Sequence, residues 1–292
     1  MGSEKKDTSL TIVLPSKNEA AGLQKILPRL RSLFPHAEII VTDDGSTDKT
    51  ADICEEHNTA YLSHKYSMGN GAAIKTGARA ATGSILVFMD ADGQHRPEDI
   101  PVLLNLLSQG YDMVVGARSR KSQAGIHRAA ANGFYNKLAS WMTNQEILDL
   151  TSGFRAVKAS KFKKFLYLLP NGFSYPTTIT MSFFRAGLNV GYIPIETDKR
   201  VGNSHIRLFR DGTRFLLIIF KVGTLYSPLK LFLPISMSFF VLGLSYYIYT
   251  FLSFGRFTNM SALLFITSVL IFLIGLVSEQ ITALNYKDSD KE

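Results

Sequence analysis

Phe88-Met89-Asp90-Ala91-Asp92-Gly93-Gln94-His95 is the stretch from which the fold is read. It continues the apolar run Ile85-Leu86-Val87, which reads as a buried strand ending where two carboxylates emerge. Side chains two apart in an extended chain point the same way, so Asp90, Asp92 and Gln94 share one direction. Oxygen donors in this arrangement suit a hard cation, Mg²⁺ or Mn²⁺, which commonly keeps positions for substrate phosphates. Taken alone, the spacing fits a polar strand-to-helix turn equally well.

The surrounding chain gives the stretch a context. Upstream, Leu10–Leu14 and Glu38–Thr42 read as strands, with a helix opening at Asn18-Glu19 and running to about Phe34 between them. Asp48 is placed to cap the next helix; a short strand near Tyr61 and a helix from Gly69 to Ala81 follow. Downstream, Pro97 suits the first turn of a helix reaching about Ser108, and Asp112–Gly116 reads as another strand. Strands alternating with helices predict an α/β domain whose mostly parallel sheet is covered on both faces and binds ligands beyond its carboxyl ends. Pro15–Glu19, Asp43–Ser46, Asp90–Gln94 and Gly116–Arg118 all fall at that edge.

Composition narrows the class. The 292 residues are 46% apolar and 19% charged, which excludes a disordered chain and a pure membrane bundle. The single cysteine, Cys54, excludes an internal disulfide framework and reads as a packed, inert thiol; no histidine or cysteine cluster suggests zinc. The N-terminus lacks an apolar signal core, so no cleaved leader is expected. Net charge is +8, and Lys158 to Lys230 carries 12 Lys+Arg against 3 Asp+Glu. That basic region runs into an apolar tail, which points to anionic lipid or lipid phosphate rather than nucleic acid.

Leu231–Leu252 and Phe257–Ser278 contain no charged residue, and each is long enough to cross a bilayer as a helix. Basic residues before the first span and a charged end after the second place the catalytic domain and both termini in the cytoplasm. Arg207, Arg210, Arg214 and Lys221 fall near one helical face, as in an interfacial helix. The expected layout is a catalytic domain over 1–207, an interfacial helix over 208–228, a two-helix membrane hairpin over 229–280 and a cytoplasmic tail over 281–292. Self-association through the membrane helices is a further expectation.

The segments L-P-S-K-N-E, V-T-D-D-G-S-T-D-K-T, G-N-G-A-A-I-K-T-G, D-A-D-G-Q-H and T-S-G-F-R-A occur in that order between Leu14 and Ala156. Together they resemble the inverting family-2 GT-A glycosyltransferases, specifically the polyprenyl-phosphate sugar synthases of the dolichol-phosphate mannose synthase type. The resemblance implies a Rossmann-like GT-A domain followed by a membrane anchor. It implies that Pro15, Asn18 and Glu19 line the base and ribose pocket and that Asp44 also holds the nucleoside. Asp90, Ala91 and Asp92 are then at the sugar-nucleotide diphosphate, with Asp90, Asp92 and Gln94 on the metal. Lys75 is a nucleotide contact or a solvated helix lysine. Arg118, Arg128 and Arg200 match the family's phosphate-binding positions, with Asn132 and Ser204 beside them on the acceptor side and Arg118 also in the catalytic set. His205 stands where a lysine is usual.

The implied reaction is inverting transfer of one hexose-type sugar from GDP-mannose, UDP-glucose or UDP-N-acetylglucosamine to dolichyl or undecaprenyl phosphate. The Q-x-x-R-W motif of processive relatives does not occur, and Tyr175-Pro176-Thr177-Thr178 occupies their acidic region, in keeping with single transfer. Two alternatives remain at this point: another lipid acceptor such as diacylglycerol, whose hydroxyl needs a general base, and a non-catalytic membrane scaffold.

Overall fold

The computed structural model describes residues 9–118, 126–172, 174–198, 220, 223–224 and 226–287, with the side chains of 126–132 and 285–287 outside the description. The chain divides into two compact units: Met1–Trp141 with Gln145–Arg207, and Met142–Asn144 with Leu208–Glu292. The interfacial helix expected over 208–228 lies largely outside the described residues; of the tail expected over 281–292, residues 281–287 continue the last helix and 288–292 lie outside the description.

In the first unit the strands are β1 (Leu10–Ser16), β2 (Glu38–Asp43), β3 (Ala60–Ser63), β4 (Ile85–Phe88), β5 (Met113–Arg118), β6 (Arg155–Lys158) and β7 (Val190–Ile195). They form one sheet in the order β3-β2-β1-β4-β6-β5-β7. The helices between them are α1 (Ala20–Leu33), α2 (Thr50–Glu56), α3 (Asn70–Ala80), α4 (Ile100–Ser108), α5 (Ile126–Thr143), α6 (Ala159–Lys164) and α7 (Tyr175–Arg185). Helices thus follow strands as the alternating pattern requires. Ile12, Leu14, Val41, Val87 and Val114 meet Leu23, Ile26, Leu27 and Leu103 in a core closed to solvent.

Every described pairing is parallel except those of β6, which runs antiparallel between β4 and β5 with Val87 opposite Ala156 and Met113 opposite Val157. The sheet is therefore mixed, and T-S-G-F-R-A ends in a central strand. The sequence conceals this strand because it is four residues long and opens with an arginine. Arg155 is nevertheless fully buried.

Asp48 caps the α2 end from just outside the helix: its carboxylate accepts from Thr50 N (3.1 Å) and also from Ala20 N (3.0 Å), tying α2 to the start of α1. Cys54 is buried, and burial together with the charge of Asp43 pushes its thiol up to about 11, so it stays protonated.

In the second unit, α8 (Pro228–Phe254) and α9 (Asn259–Lys287) form a hairpin, and both are long and apolar enough to cross a membrane. The turn begins at Gly255, whose φ of 65° terminates α8 in the left-handed region. Thr258 Oγ1 accepts from Ser261 N at the start of α9. Inside the hairpin, Ser236 and Ser268 are buried, and each hydroxyl donates to the other residue's carbonyl at 2.9 Å. Small residues let the helices approach: a Cβ at Gly243 would stand 3.1 Å from Leu264 Cβ. Glu279 accepts from Leu229 N in the first turn of α8 (3.2 Å), where a helix leaves its N–H groups unpaired.

Gly22 of α1 packs so closely beneath the stretch from Asp90 to Asp92 that a Cβ there would overlap the Ala91 carbonyl oxygen. Gly22→Ala should therefore lower stability by about 1–3 kcal/mol and weaken nucleotide binding with it. Thermal midpoint and nucleotide affinity measured on the same preparation check this; an unchanged midpoint refutes the close contact.

Candidate functional site

The carboxyl ends of β1, β2 and β4 surround a cavity of about 390 Å³ lined by Pro15, Ser16, Lys17, Glu19, Asp44, Ser67, Gly69, Asn70, Ala73, Asp90, Ala91 and Asp92. Its position follows from topology, since the parallel strands deliver their loops to one edge. Of the sequence-derived nucleotide set, Pro15, Glu19, Asp44, Asp90, Ala91 and Asp92 line it, and Asn18 and Lys75 do not.

Asn18 sits behind the wall. Its backbone adopts a left-handed φ of 56°, its N–H donates to Ser46 Oγ (2.8 Å), and its Oδ1 accepts from Thr47 N (2.8 Å). It clasps the loop after β1 to the loop after β2. Lys75 donates to Leu169 O (3.1 Å) and to Asn171 Oδ1, so it ties α3 to the segment before α7. That segment also supplies Gly172 O to Gly71 N and Asn171 O to Ala72 N, occupying the N–H groups of the first turn of α3. Gly69-Asn70-Gly71 is a packed helix start here, not a phosphate cradle.

Asp44 is held on both carboxylate oxygens. Oδ1 accepts from Met68 N (2.7 Å) and lies 2.9 Å from His64 Nδ1, while Oδ2 accepts from Ser67 Oγ (2.6 Å) and Gly69 N (2.8 Å). Burial alone would raise its pKa. The bonds from His64, Ser67, Met68 and Gly69 outweigh that and hold Asp44 below the usual carboxylate range. Its four bonds fill the roughly four lone-pair positions of a carboxylate, so it shapes the cavity through the loop from His64 to Gly69.

Asp90 and Asp92 stand at the end of β4. Gly93, with φ of 74°, turns the chain away behind them, and Gln94 N donates to Asp92 Oδ1 (3.1 Å). Asp90 Oδ2 lies 3.5 Å from His95 Nε2, and the His95 ring stacks on Phe154 at 5.0 Å. Behind Asp90 the chain is glycine: a Cβ at Gly153 would stand 3.0 Å from both of its carboxylate oxygens. Gln94 does not line the cavity; its N–H and carbonyl face Asp92 and Asp198, with Asp198 N donating to Gln94 O (2.9 Å). Among the described residues no group of three or more His, Cys, Asp or Glu forms a closed metal cage. The donor set still fits a hard cation, because two carboxylates open to a cavity leave positions for phosphate oxygens and water.

Arg118, at the end of β5, is gripped by Asp149. Nε donates to Oδ2 (2.8 Å), Nη2 to Oδ1 (3.1 Å) and Nη2 also to Thr151 Oγ1 (2.7 Å). Burial works against the charge on both partners, yet their mutual hydrogen bonds prevail, raising Arg118 and lowering Asp149. The charges of Asp90 and Asp92 also act on Arg118. Arg118 is thus held in orientation by a buried partner, outside the cavity lining. Sequence reading missed Asp149 and His95 in these roles, although both stand in segments it singled out. Arg128, Asn132, Arg200, Ser204 and His205 lie outside the described residues or side chains.

An α/β sheet with acidic residues gathered at its carboxyl edge is the frame in which comparison with known proteins is read. Residues 11–166 match Glycosyl transferase family 2, and residues 227–284 match the GtrB C-terminal hairpin. The chain belongs to glycosyl transferase family 2. It is 28% identical over 230 residues to the polyprenol monophosphomannose synthase of Mycolicibacterium smegmatis, covering 73% of this chain and 84% of that one. It is 26% identical over 215 residues to a dolichyl-phosphate hexose transferase of Haloferax volcanii, covering 73% and 93%. It is also 32% identical over 160 residues to an undecaprenyl-phosphate 4-deoxy-4-formamido-L-arabinose transferase of Photorhabdus laumondii, but covers only 51% of this chain and 49% of that one. Among solved structures, glucosyl-3-phosphoglycerate synthase from Mycobacterium tuberculosis shares the fold, with a TM-score of 0.62 at 20% identity over 75% of this chain and 80% of that one. The fold is the Rossmann-like GT-A arrangement expected from the motifs.

Asp149→Asn should leave Arg118 charged without its counter-charge and cost about 3–5 kcal/mol at neutral pH. Because the folded state lowers the pKa of Asp149, its contribution is full above the ordinary carboxylate pKa and is lost as pH falls through the lowered value. The gap in thermal midpoint between wild type and variant should accordingly be wide at neutral pH and close in acid. A gap that widens in acid refutes the assignment.

Proposed function

We propose that this glycosyltransferase is a membrane protein that moves a single sugar, with inversion, from a nucleotide diphosphate sugar to a polyprenyl monophosphate. The observation that carries the reading is the joining of a cavity holding Asp90 and Asp92 to a hairpin that matches a GtrB-type anchor. The relatives support the acceptor class, since their names specify polyprenol, dolichyl-phosphate and undecaprenyl-phosphate transfer. In the proposed layout the catalytic domain and both termini are cytoplasmic, and the basic stretch before the hairpin lies against the bilayer.

Charge management explains how the residues work. Asp90 and Asp92 would hold Mg²⁺ or Mn²⁺, which would supply neutralising charge for a departing nucleoside diphosphate; Gln94, the further ligand the motif suggests, does not line the cavity. The fold neighbour was crystallised with Mn²⁺ and UDP-glucose. Pro15, Glu19 and the loop shaped by Asp44 hold the nucleoside. Arg118, kept charged and aimed by Asp149, meets the acceptor phosphate together with Arg128 and Arg200, and Asn132 and Ser204 assist them. The acceptor needs no strong base, because a phosphate monoester with a second pKa of about 6 is already largely dianionic near pH 7. A neutral lipid hydroxyl would require one, which makes diacylglycerol the weaker acceptor.

Membranes containing the full chain, supplied in turn with radiolabelled GDP-mannose, UDP-glucose and UDP-N-acetylglucosamine plus undecaprenyl or dolichyl phosphate, should label lipid in one donor combination. Labelling of diacylglycerol instead would overturn the acceptor.

Asp92→Asn should lower turnover by at least about 100-fold, since loss even of groups supporting a metal ligand costs 10–100-fold. Chelation by EDTA should abolish wild-type turnover, and Mg²⁺ or Mn²⁺ should restore it. Full activity in EDTA excludes the metal reading.

A further inference from the structure

Among the described residues that line the cavity, Lys17 alone is cationic, against the carboxylates of Glu19, Asp44, Asp90 and Asp92. It stands just beyond the end of β1. Lys17 Nζ donates to Ser67 Oγ (2.7 Å), and the Ser67 hydroxyl donates to Asp44 Oδ2 (2.6 Å). A hydroxyl has one hydrogen to give. Asp44, held ionised by its other bonds, takes that hydrogen, so Ser67 turns a lone pair to the ammonium. An ammonium has three N–H groups. Ser67 takes one of them, and Lys17 is exposed, so the others face whatever enters the cavity.

Sheet order sets where along the cavity this cation stands. Ser67 follows β3, Asp44 follows β2, and Asp90 and Asp92 follow β4, in a sheet ordered β3-β2-β1-β4 on this side. β3 and β4 are therefore three strand spacings apart, about 14 Å. The cavity has an acidic end at β4 and, toward β3, a donor end made by Lys17. A nucleoside diphosphate is two-ended as well, with its anionic oxygens at one end and a flat heterocycle at the other. Its phosphates match the end where Asp90 and Asp92 suit a cation, which leaves the base for Lys17. The loop at that end suits a base: Ser67 is flanked by the exposed side chains of Tyr66 and Met68, apolar surface that a flat ring can cover.

We propose that Lys17 selects the base of the donor, accepting one that carries a carbonyl oxygen where other bases carry an exocyclic amine. Uracil and guanine present an acceptor oxygen at that position, and cytosine and adenine present an NH₂ donor. An ammonium donates and cannot accept, so it bonds the oxo bases and opposes the amino ones. The hydrogen bond is charge-assisted, and Ser67 orients its donor before the nucleotide arrives. The inference rests on the nucleotide-sugar reading above, which the experiment reads separately.

The full-length protein in lipid nanodiscs, with Mg²⁺ or Mn²⁺ present, is titrated calorimetrically with UDP, CDP, GDP and ADP. Within the ring size that binds, UDP against CDP or GDP against ADP, the oxo base should be preferred by about 10-fold or more, as one hydrogen bond from a charged donor supplies. Lys17→Met should bring the two members of that pair to within about 3-fold by weakening the oxo nucleotide. Lys17→Arg keeps a cationic donor and should keep most of the preference. Thermal midpoints should agree across the three proteins, because Lys17 is exposed. If Lys17→Met weakens both members of the pair by the same factor, the ammonium serves the diphosphate, and the base assignment is overturned while the nucleotide reading stands. A wild type that binds the amino member as tightly as the oxo member overturns it too. Binding of none of the four removes the nucleotide-sugar reading itself, and the base assignment with it.

Discussion

Arg155 carries a full positive charge at a position closed to water, and the organisation of the site depends on how that charge is accommodated. Burying a guanidinium without partners is costly. Here it donates to Ser152 O, Pro176 O (3.3 Å) and Thr180 Oγ1 (3.2 Å), and its carbon lies 5.7 Å from the centre of the Tyr175 ring. No carboxylate pairs with it directly among the described residues; the charges that act to keep it protonated include those of Asp149 and Asp90. Tyr175 in turn donates to Gly153 O (3.2 Å). The backbone of Ser152 and Gly153 is thereby fixed against the Asp90 carboxylate, and the short strand β6 is fixed between β4 and β5. A buried cation behind the acidic edge and a second, Arg118, beside it balance the carboxylates that the cavity gathers.

That arrangement explains which parts of the molecule the sequence discloses. β1, β2, β4 and β5 are apolar runs that end in polar clusters, so pattern alone locates them and the edge at which they deliver Pro15, Asp44, Asp90 and Arg118. β6 has no such pattern, because its first residue is the buried Arg155, and only tertiary partners on α7 make that tolerable. The two membrane helices are legible for the same reason as the strands: length and absence of charge are local properties.

What the sequence leaves undisclosed is pairing at a distance. Asn18 reads as a pocket residue by its place in the motif, but its left-handed backbone and its bonds to Ser46 and Thr47 make it a clasp between loops. Lys75 has a partner 94 residues away in Leu169. Glu279 finds its partner 50 residues back, at the start of the other helix of the hairpin. Motif position identifies the neighbourhood of such residues, and only the fold identifies the atom each one holds.

The distribution of these bonds separates the carboxylates in and behind the cavity wall. Asp43, Asp44 and Asp48 are consumed in holding loops: Asp43 accepts from Ser46 and from Tyr61 Oη (2.8 Å), Asp48 joins α1 to α2, and Asp44 fastens the loop from His64 to Gly69. Their function is to make the wall rigid before a ligand arrives, which lowers the ordering cost of binding. Asp90 and Asp92 are set on a turn packed against Gly22 and Gly153, with Gln94 N donating to Asp92 Oδ1 and His95 facing Asp90. Both line the cavity, so close backbone packing fixes where their carboxylates stand at its edge. Gly22 and Gly153, whose lack of a side chain permits that close packing, are thus as much a part of the site as the acids themselves.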